Sequence, residues 1–163
     1  MASKRLLLRK TIQVADKFKD EPEIYMVYQL DFRGRIYAVP NYLNPQGTDF
    51  AKALLTFSHG KKLNEQGACH LAIHGANQFG YDKHALQERI DWTLENQDRI
   101  LSCAKDPIND LWWAKEADKP FEFLAFCKEW ESYLNDPENF ESCLPVSADG
   151  STFCSNVKVR NYR

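Results

Sequence analysis

Two short stretches concentrate the side chains with chemical reach. In "DFRGR" (Asp31–Arg35), Gly34 lets the backbone turn sharply or come close to another chain, and Arg33 and Arg35 carry planar forks that match phosphate oxygens. Such a turn suits a sugar-phosphate backbone. It equally suits a plain hairpin in which Asp31 pairs with one arginine on a solvated surface. The second stretch is "SADGS", where Asp149 follows an apolar run and precedes Gly150. A carboxylate at a strand tip, beside a backbone carbonyl that glycine leaves accessible, can hold a hard cation such as magnesium. Asp-Gly is also a common turn pair, and from the local pattern alone the turn is the reading to expect.

Two further groups are weighed against packing. His70 and His74 stand four apart, a spacing at which two imidazoles on a helix can share zinc, but "HLAIH" lacks the glutamate of the zinc-protease pattern and has no evident third ligand. The expectation is a pair of partly buried, hydrogen-bonded histidines. "LWWAKEADKPFEFLAF" could stack bases, yet its later half has helical period, so core packing is expected.

The elements that must position these residues are set by composition and pattern. The 163 residues are 44% apolar and 13% aromatic, enough for the core of one domain, and the formal charge of -2 gives no global field that would draw in a polyanion. Any such contact must be local, as in residues 1–20, where Lys4, Arg5, Arg9, Lys10, Lys17 and Lys19 outnumber Asp16 and Asp20. Five cysteines (Cys69, Cys103, Cys127, Cys143, Cys154), odd in number and without a CxxC pair, fit reduced thiols in a cytosolic protein. The apolar run Leu6–Leu8 is cut off by Arg9 and Lys10, too short for a signal peptide or membrane span, so a soluble, cytoplasmic protein without a membrane partner is expected.

Leu8, Ile12 and Ala15, with Ser3 as N-cap, predict a basic amphipathic helix ending near Asp20. Ile24–Pro40 is rich in β-branched and aromatic residues and predicts two short strands around the "DFRGR" turn, followed by an Asn41–Gly47 loop. A helix is predicted from an Asn64 N-cap to a Gly80 stop, and a second, broken one from Asp82 to the residues before Pro107. A third follows Pro120, with Phe123, Leu124, Cys127, Trp130, Glu131 and Leu134 on one side, and ends at "NDPENF". A final strand is predicted over Cys143–Ala148. The fold class is α+β, helix-rich.

Taken in order, "DFRGRIYAVPNYLNPQGTDFAKALLTF", "IHGAN", "GYDKHALQERI", "ENQDRILSCAKDPIND", "WWAKEADKPFEFLAFC" and "SCLPVSADGS" resemble the single-subunit, phage-type DNA-directed RNA polymerases from about Ser3 to Ser151. The combination of the "DxxGR" turn, "NPQG", "IHGAN" and "DGS" is far more specific than any one of them. The resemblance implies part of a polymerase palm domain: residues 1–20 as the end of a thumb-like helix, 21–151 as partial palm, and 152–163 as a divergent tail. It implies template-directed nucleotidyl transfer from ribonucleoside triphosphates in the parent enzyme, with DNA template and RNA product as partners. Asp149 then resembles the palm aspartate that binds both Mg2+ ions, and the Gly150 carbonyl a backbone ligand. Asp31, Gly34 and Arg35, with Arg33 between them, resemble the turn that grips template and hybrid. Lys83 in "GYDK" resembles a lysine near the incoming nucleotide's phosphates.

After "DGS" the chain reads "TFCSNVKVRNYR" and departs from that family's pattern. The expectation is an interior piece of a polymerase, its reading frame cut or shifted just past Asp149, with the fingers and the second metal-binding aspartate absent or supplied by a separate polypeptide. One carboxylate and one carbonyl do not hold two magnesium ions about 4 Å apart, so the chain alone is expected to be inactive. The rival expectations are a stand-alone nucleic-acid-binding module and an inert remnant.

Overall fold

The computed structural model describes residues 2–146. The elements are, in order, α1 (Ala2–Phe18), β1 (Tyr28–Leu30), β2 (Ile36–Ala38), α2 (Asp49–Ala53), β3 (Lys61–Lys62), α3 (Glu65–Phe79), α4 (Leu86–Glu95), α5 (Gln97–Lys105), α6 (Trp112–Glu116), α7 (Pro120–Asn135) and β4 (Glu141–Ser142). The protein is α+β and helix-rich, with two antiparallel strand pairs, β1–β2 and β3–β4.

Helix α7 organises the body: α2, α3, α5 and α6 all pack on it, and α4 packs on α3. The core is Leu71, Ala72, Ile100, Cys103, Ala104, Trp112, Phe123, Phe126, Cys127 and Trp130. The aromatic block is therefore core, as its period predicts, with the Phe79 ring within 5.1 Å of those of Trp92, Trp112 and Phe123. The closest approach is between α3 and α7. A Cβ on Gly75, in "IHGAN", would lie 2.2 Å from the Phe126 ring, so that ring rests on bare helix backbone.

Helix ends follow local chemistry where that chemistry is complete. Asn64 accepts the Gly67 amide at 2.8 Å, and Gly80 closes α3 at φ +113, a left-handed cap. Pro120 opens α7, and Asp136 and Asp106 end α7 and α5 with the same D-P-x-N turn, accepting the amides of Asn139 at 3.3 Å and Asn109 at 3.2 Å. Three expectations are corrected. Ser3 lies inside α1 rather than capping it, and Leu8 and Ile12 of α1 are exposed. The second helix begins at Leu86, not Asp82, because Ala85 is extended and Glu88 reaches back to accept its amide at 2.9 Å. The helix does break, at Asn96, whose side chain donates to the Trp92 carbonyl at 2.8 Å.

The last strand also moves. Pairing falls on Glu141 and Ser142, opposite Lys62 and Lys61, and Cys143–Val146 continues without strand structure. A strand exists where a partner offers backbone groups, and the β3 partner is only two residues long. The remainder of the predicted strand lies outside the described residues.

Candidate nucleic-acid interface

Asp31 builds the "DFRGR" turn out of backbone. Its amide donates to the Arg35 carbonyl at 2.9 Å, and its carbonyl accepts Gly34 N–H at 3.0 Å. Its Oδ1 accepts the amides of Arg33 at 2.8 Å and Arg35 at 2.9 Å. Gly34 sits at φ +74, the left-handed residue that a three-residue hairpin loop requires. An added Cβ there would meet nothing within 4 Å, so glycine serves the backbone conformation and no part of this chain presses on it.

The two arginines are thereby left with their charge outward. The alternative in which Asp31 pairs with an arginine is corrected: among the described residues no ion pair joins Asp31 to Arg33 or Arg35, and Asp31 Oδ1 accepts the backbone amides of both instead. The Arg33 guanidinium lies 5.1 Å from the Phe32 ring centroid, and Phe32 is 91% exposed at the tip. Two cationic forks and a bare aromatic ring on a rigid turn are the groups that bind phosphates and stack on bases.

The hairpin is held by a residue that sequence reasoning passed over. Gln46, in the "NPQG" loop, accepts Ala38 N–H at 2.7 Å through Oε1 and donates Nε2–H to the Ile36 carbonyl at 3.0 Å. Asn44 fixes that loop, accepting Gln46 N–H at 2.6 Å and donating to the Pro40 carbonyl at 2.7 Å. Three residues on, the Asp49 carboxylate accepts the amides of Phe121 at 2.9 Å and Glu122 at 2.8 Å, capping α7 from another part of the chain. Their only sequence signal is the polar run "NPQGTD" between apolar stretches.

Lys83 is exposed in the α3–α4 loop and makes no ion pair among the described residues. That loop is rigid. Tyr81 and His84 stack at 3.6 Å, and Arg89 donates to the His84 carbonyl at 2.8 Å and to Asn77 Oδ1 at 2.9 Å, which accounts for the asparagine of "IHGAN".

Asp149 and Gly150 lie outside the described residues. The segment leading toward them is anchored: Glu129 on α7 accepts Ser142 Oγ–H at 2.6 Å and Cys143 N–H at 3.2 Å, and Phe57 N–H donates to the Cys143 carbonyl at 2.9 Å. Glu129 is a further residue that the sequence did not single out. Among the described residues no group of three or more His, Cys, Asp or Glu side chains is placed to hold a metal.

The remaining ionisable groups serve the fold. His74 is buried against Gln78, while His70 is exposed, contrary to the expectation for the pair. Burial, with Lys119 nearby, lowers the His74 pKa to about 4. Glu122, 8% exposed, has its pKa raised by burial, against the pull of Lys52 at 3.9 Å. Cys103 and Cys127 are buried free thiols whose pKa burial raises, and Cys69 and Cys143 are also free. No helix among the described residues is long and apolar enough to cross a membrane.

Comparison with known proteins bears on both stretches. The family model for DNA-dependent RNA polymerase matches residues 61–155. The chain is 46% identical over 156 residues to the DNA-directed RNA polymerase of Enterobacteria phage T3, 96% of this chain and 17% of that protein. The T7 RNA polymerase of Escherichia phage T7 gives 42% over the same shares, and the mitochondrial DNA-directed RNA polymerase of Neurospora crassa 37% over 91% of this chain and 10% of its own length. The chain thus spans about a sixth of the phage relatives. With the "DFRGR" turn, "NPQG" and "IHGAN" each given a structural place, the chain belongs to the phage-type DNA-dependent RNA polymerase family.

Proposed function

We propose that this chain is palm-region polymerase sequence whose described part binds the sugar-phosphate backbone of template and RNA–DNA hybrid through the "DFRGR" turn. The observation that carries this is the division of labour at Asp31: its carboxylate is engaged by two backbone amides, so Arg33 and Arg35 face outward uncompensated. Residues 1–20 enter as the end of a thumb-like helix, 21–151 as partial palm and 152–163 as a divergent tail. Lys83, on its rigid loop, is assigned to the triphosphate of a ribonucleotide.

Asp149 and Gly150 are assigned to magnesium through the family resemblance. When bound in a complete polymerase, magnesium supplies electrostatic stabilisation of phosphoryl transfer. Template-directed nucleotidyl transfer belongs to that complete enzyme, acting on DNA in the cytoplasm of its cell. Since one carboxylate and one backbone carbonyl do not hold two magnesium ions, we assign Asp149 and Gly150 no RNA synthesis by themselves.

The test is fluorescence anisotropy with a short RNA–DNA hybrid. The chain should bind with little sequence preference and strong salt dependence. Arg35→Ala should weaken binding by about 1–3 kcal/mol and flatten the salt slope by about one unit. Absence of binding at low salt, or an Arg35→Ala variant indistinguishable from the parent, overturns the reading.

A further inference from the structure

We infer that Gln46 is a positioning residue for Arg35, fixing the direction in which the guanidinium leaves the hairpin. The inference deepens the nucleic-acid reading above and rests on it. Across the hairpin, Val39 N–H donates to Val27 and Asp31 N–H to Arg35, so the backbone groups of Ile36 and Ala38 point to the outer edge of β2. A two-stranded hairpin is marginal in water, and this one has three residues per strand and is largely exposed.

The Gln46 amide acts as a third strand reduced to one side chain. It satisfies Ala38 N–H at 2.7 Å and Ile36 C=O at 3.0 Å at once, because a primary amide carries acceptor and donor side by side on one planar group. Ile36 follows Arg35 directly, so the tilt of β2 sets the Arg35 direction. Gln46 is itself tied down by Asn44, and Asp49 joins the same stretch to α7. The charged groups along these elements are Asp31, Arg33 and Arg35 in the turn, and Asp49 and Lys52 on α2.

The experiment uses the full 15N-labelled chain, its Gln46→Ala and Gln46→Glu variants, and Arg35→Ala. Three quantities are read: hydrogen exchange at the Ala38 amide, the order parameter of Arg35, and affinity for a short RNA–DNA hybrid, with the core tryptophan resonances reporting the fold. In Gln46→Ala, Ala38 protection should be lost, Arg35 order should fall, and hybrid affinity should drop roughly tenfold, as for Arg35→Ala. Gln46→Glu should be rescued by acid. A protonated carboxyl donates to Ile36 and accepts from Ala38, whereas a carboxylate faces the Ile36 carbonyl with a second acceptor. Arg35 order in that variant should therefore rise from pH 7 to pH 4.5, with no such rise in the parent or in Gln46→Ala.

Unchanged Arg35 order in Gln46→Ala, or a Gln46→Glu variant without acid rescue, overturns the positioning role even if Arg35→Ala weakens binding. Loss of Arg35 order in Gln46→Ala with acid rescue in Gln46→Glu supports it. If Arg35→Ala then leaves hybrid affinity unchanged, the positioning stands and the nucleic-acid reading falls.

Discussion

Asp49 accepts the backbone amide of Glu122 at 2.8 Å, so the first turn of α7 is capped by a carboxylate that lies 73 residues earlier. The nominal N-cap, Lys119, makes no side-chain bond to the helix, and Asp49 takes its place. Asp49→Ala should cost about 1–3 kcal/mol in urea denaturation, through two lost charge-assisted bonds at a helix N-terminus. Asp49→Asn, which keeps an acceptor, should cost less. Equal losses in the two variants would mean that packing by Phe50 against Phe121, rather than the cap, holds α2 to α7.

Gly75 and Phe126 should behave as one unit. Gly75→Ala places a methyl where ring atoms stand at 2.2 Å and should destabilise by about 1–3 kcal/mol or more. Adding Phe126→Leu should recover part of that loss, because the smaller side chain vacates the ring position. Strict additivity of the two changes in a double-mutant cycle would contradict the close approach.

Acid should expose His74. Its folded pKa of about 4 lies below the ordinary 6.5, so the unfolded chain binds the extra proton first and stability falls as pH drops from about 6.5 to 4. The full effect of that group is about 3 kcal/mol. Glu122 acts in the opposite sense, since a raised carboxyl pKa makes the folded state the better proton acceptor above 4.5 and adds stability toward acid. Glu122→Gln should steepen the acid loss, and His74→Gln should flatten it. Urea midpoints from pH 7 to pH 4 in the two variants check both signs.

Asp31 gives a prediction in which charge and geometry disagree. Coulomb attraction alone predicts that removing a carboxylate beside two arginines tightens nucleic-acid binding. Because Asp31 Oδ1 holds the amides of Arg33 and Arg35, Asp31→Ala should instead loosen the turn and weaken hybrid binding, while Asp31→Asn should bind as well as the parent or better. Tighter binding by Asp31→Ala would show that the turn does not orient its arginines.

Glu129 should control access to Cys143. The Cys143 thiol packs where a Cβ on Gly60 would come within 3.0 Å of it, and Glu129 fixes the adjoining backbone. Glu129→Ala should raise the rate of Cys143 alkylation toward that of exposed Cys69, read by mass spectrometry under native conditions. An unchanged rate would place the anchor in the β3–β4 pairing instead.

What was legible in the sequence was the chemistry that acts over a few residues. Asn64 and Gly80 mark both ends of α3, Pro120 marks the start of α7, and the turn residues of "DFRGR" place the hairpin, because caps and turns are made from their own neighbours. Other features depend on distant partners. The strand expected at Cys143 sits at Glu141–Ser142 because Lys61 and Lys62 decide the pairing, and neither Asp49 nor Glu129 shows locally which amides it will hold. Within the candidate site, the Arg33–Arg35 turn was readable as a turn, but the engagement of Asp31 by backbone was not, since an aspartate beside arginines reads as an ion pair. "IHGAN" carried family resemblance without its reason, which is the fit of Phe126 on Gly75 and the bond from Arg89 to Asn77.

The stretch from Gln46 to Asp49 makes a mechanical coupling out of a loop. One end grips the edge of the hairpin and the other the first turn of α7, and three peptide steps span at most about 11 Å. So short a link has almost no slack. The edge of the hairpin and the first turn of α7 are thus held by the two ends of one four-residue stretch. Between them lies Gly47, where an added Cβ would come within 3.3 Å of both Asn44 and Ala51, so a side chain at that position would press on the link itself.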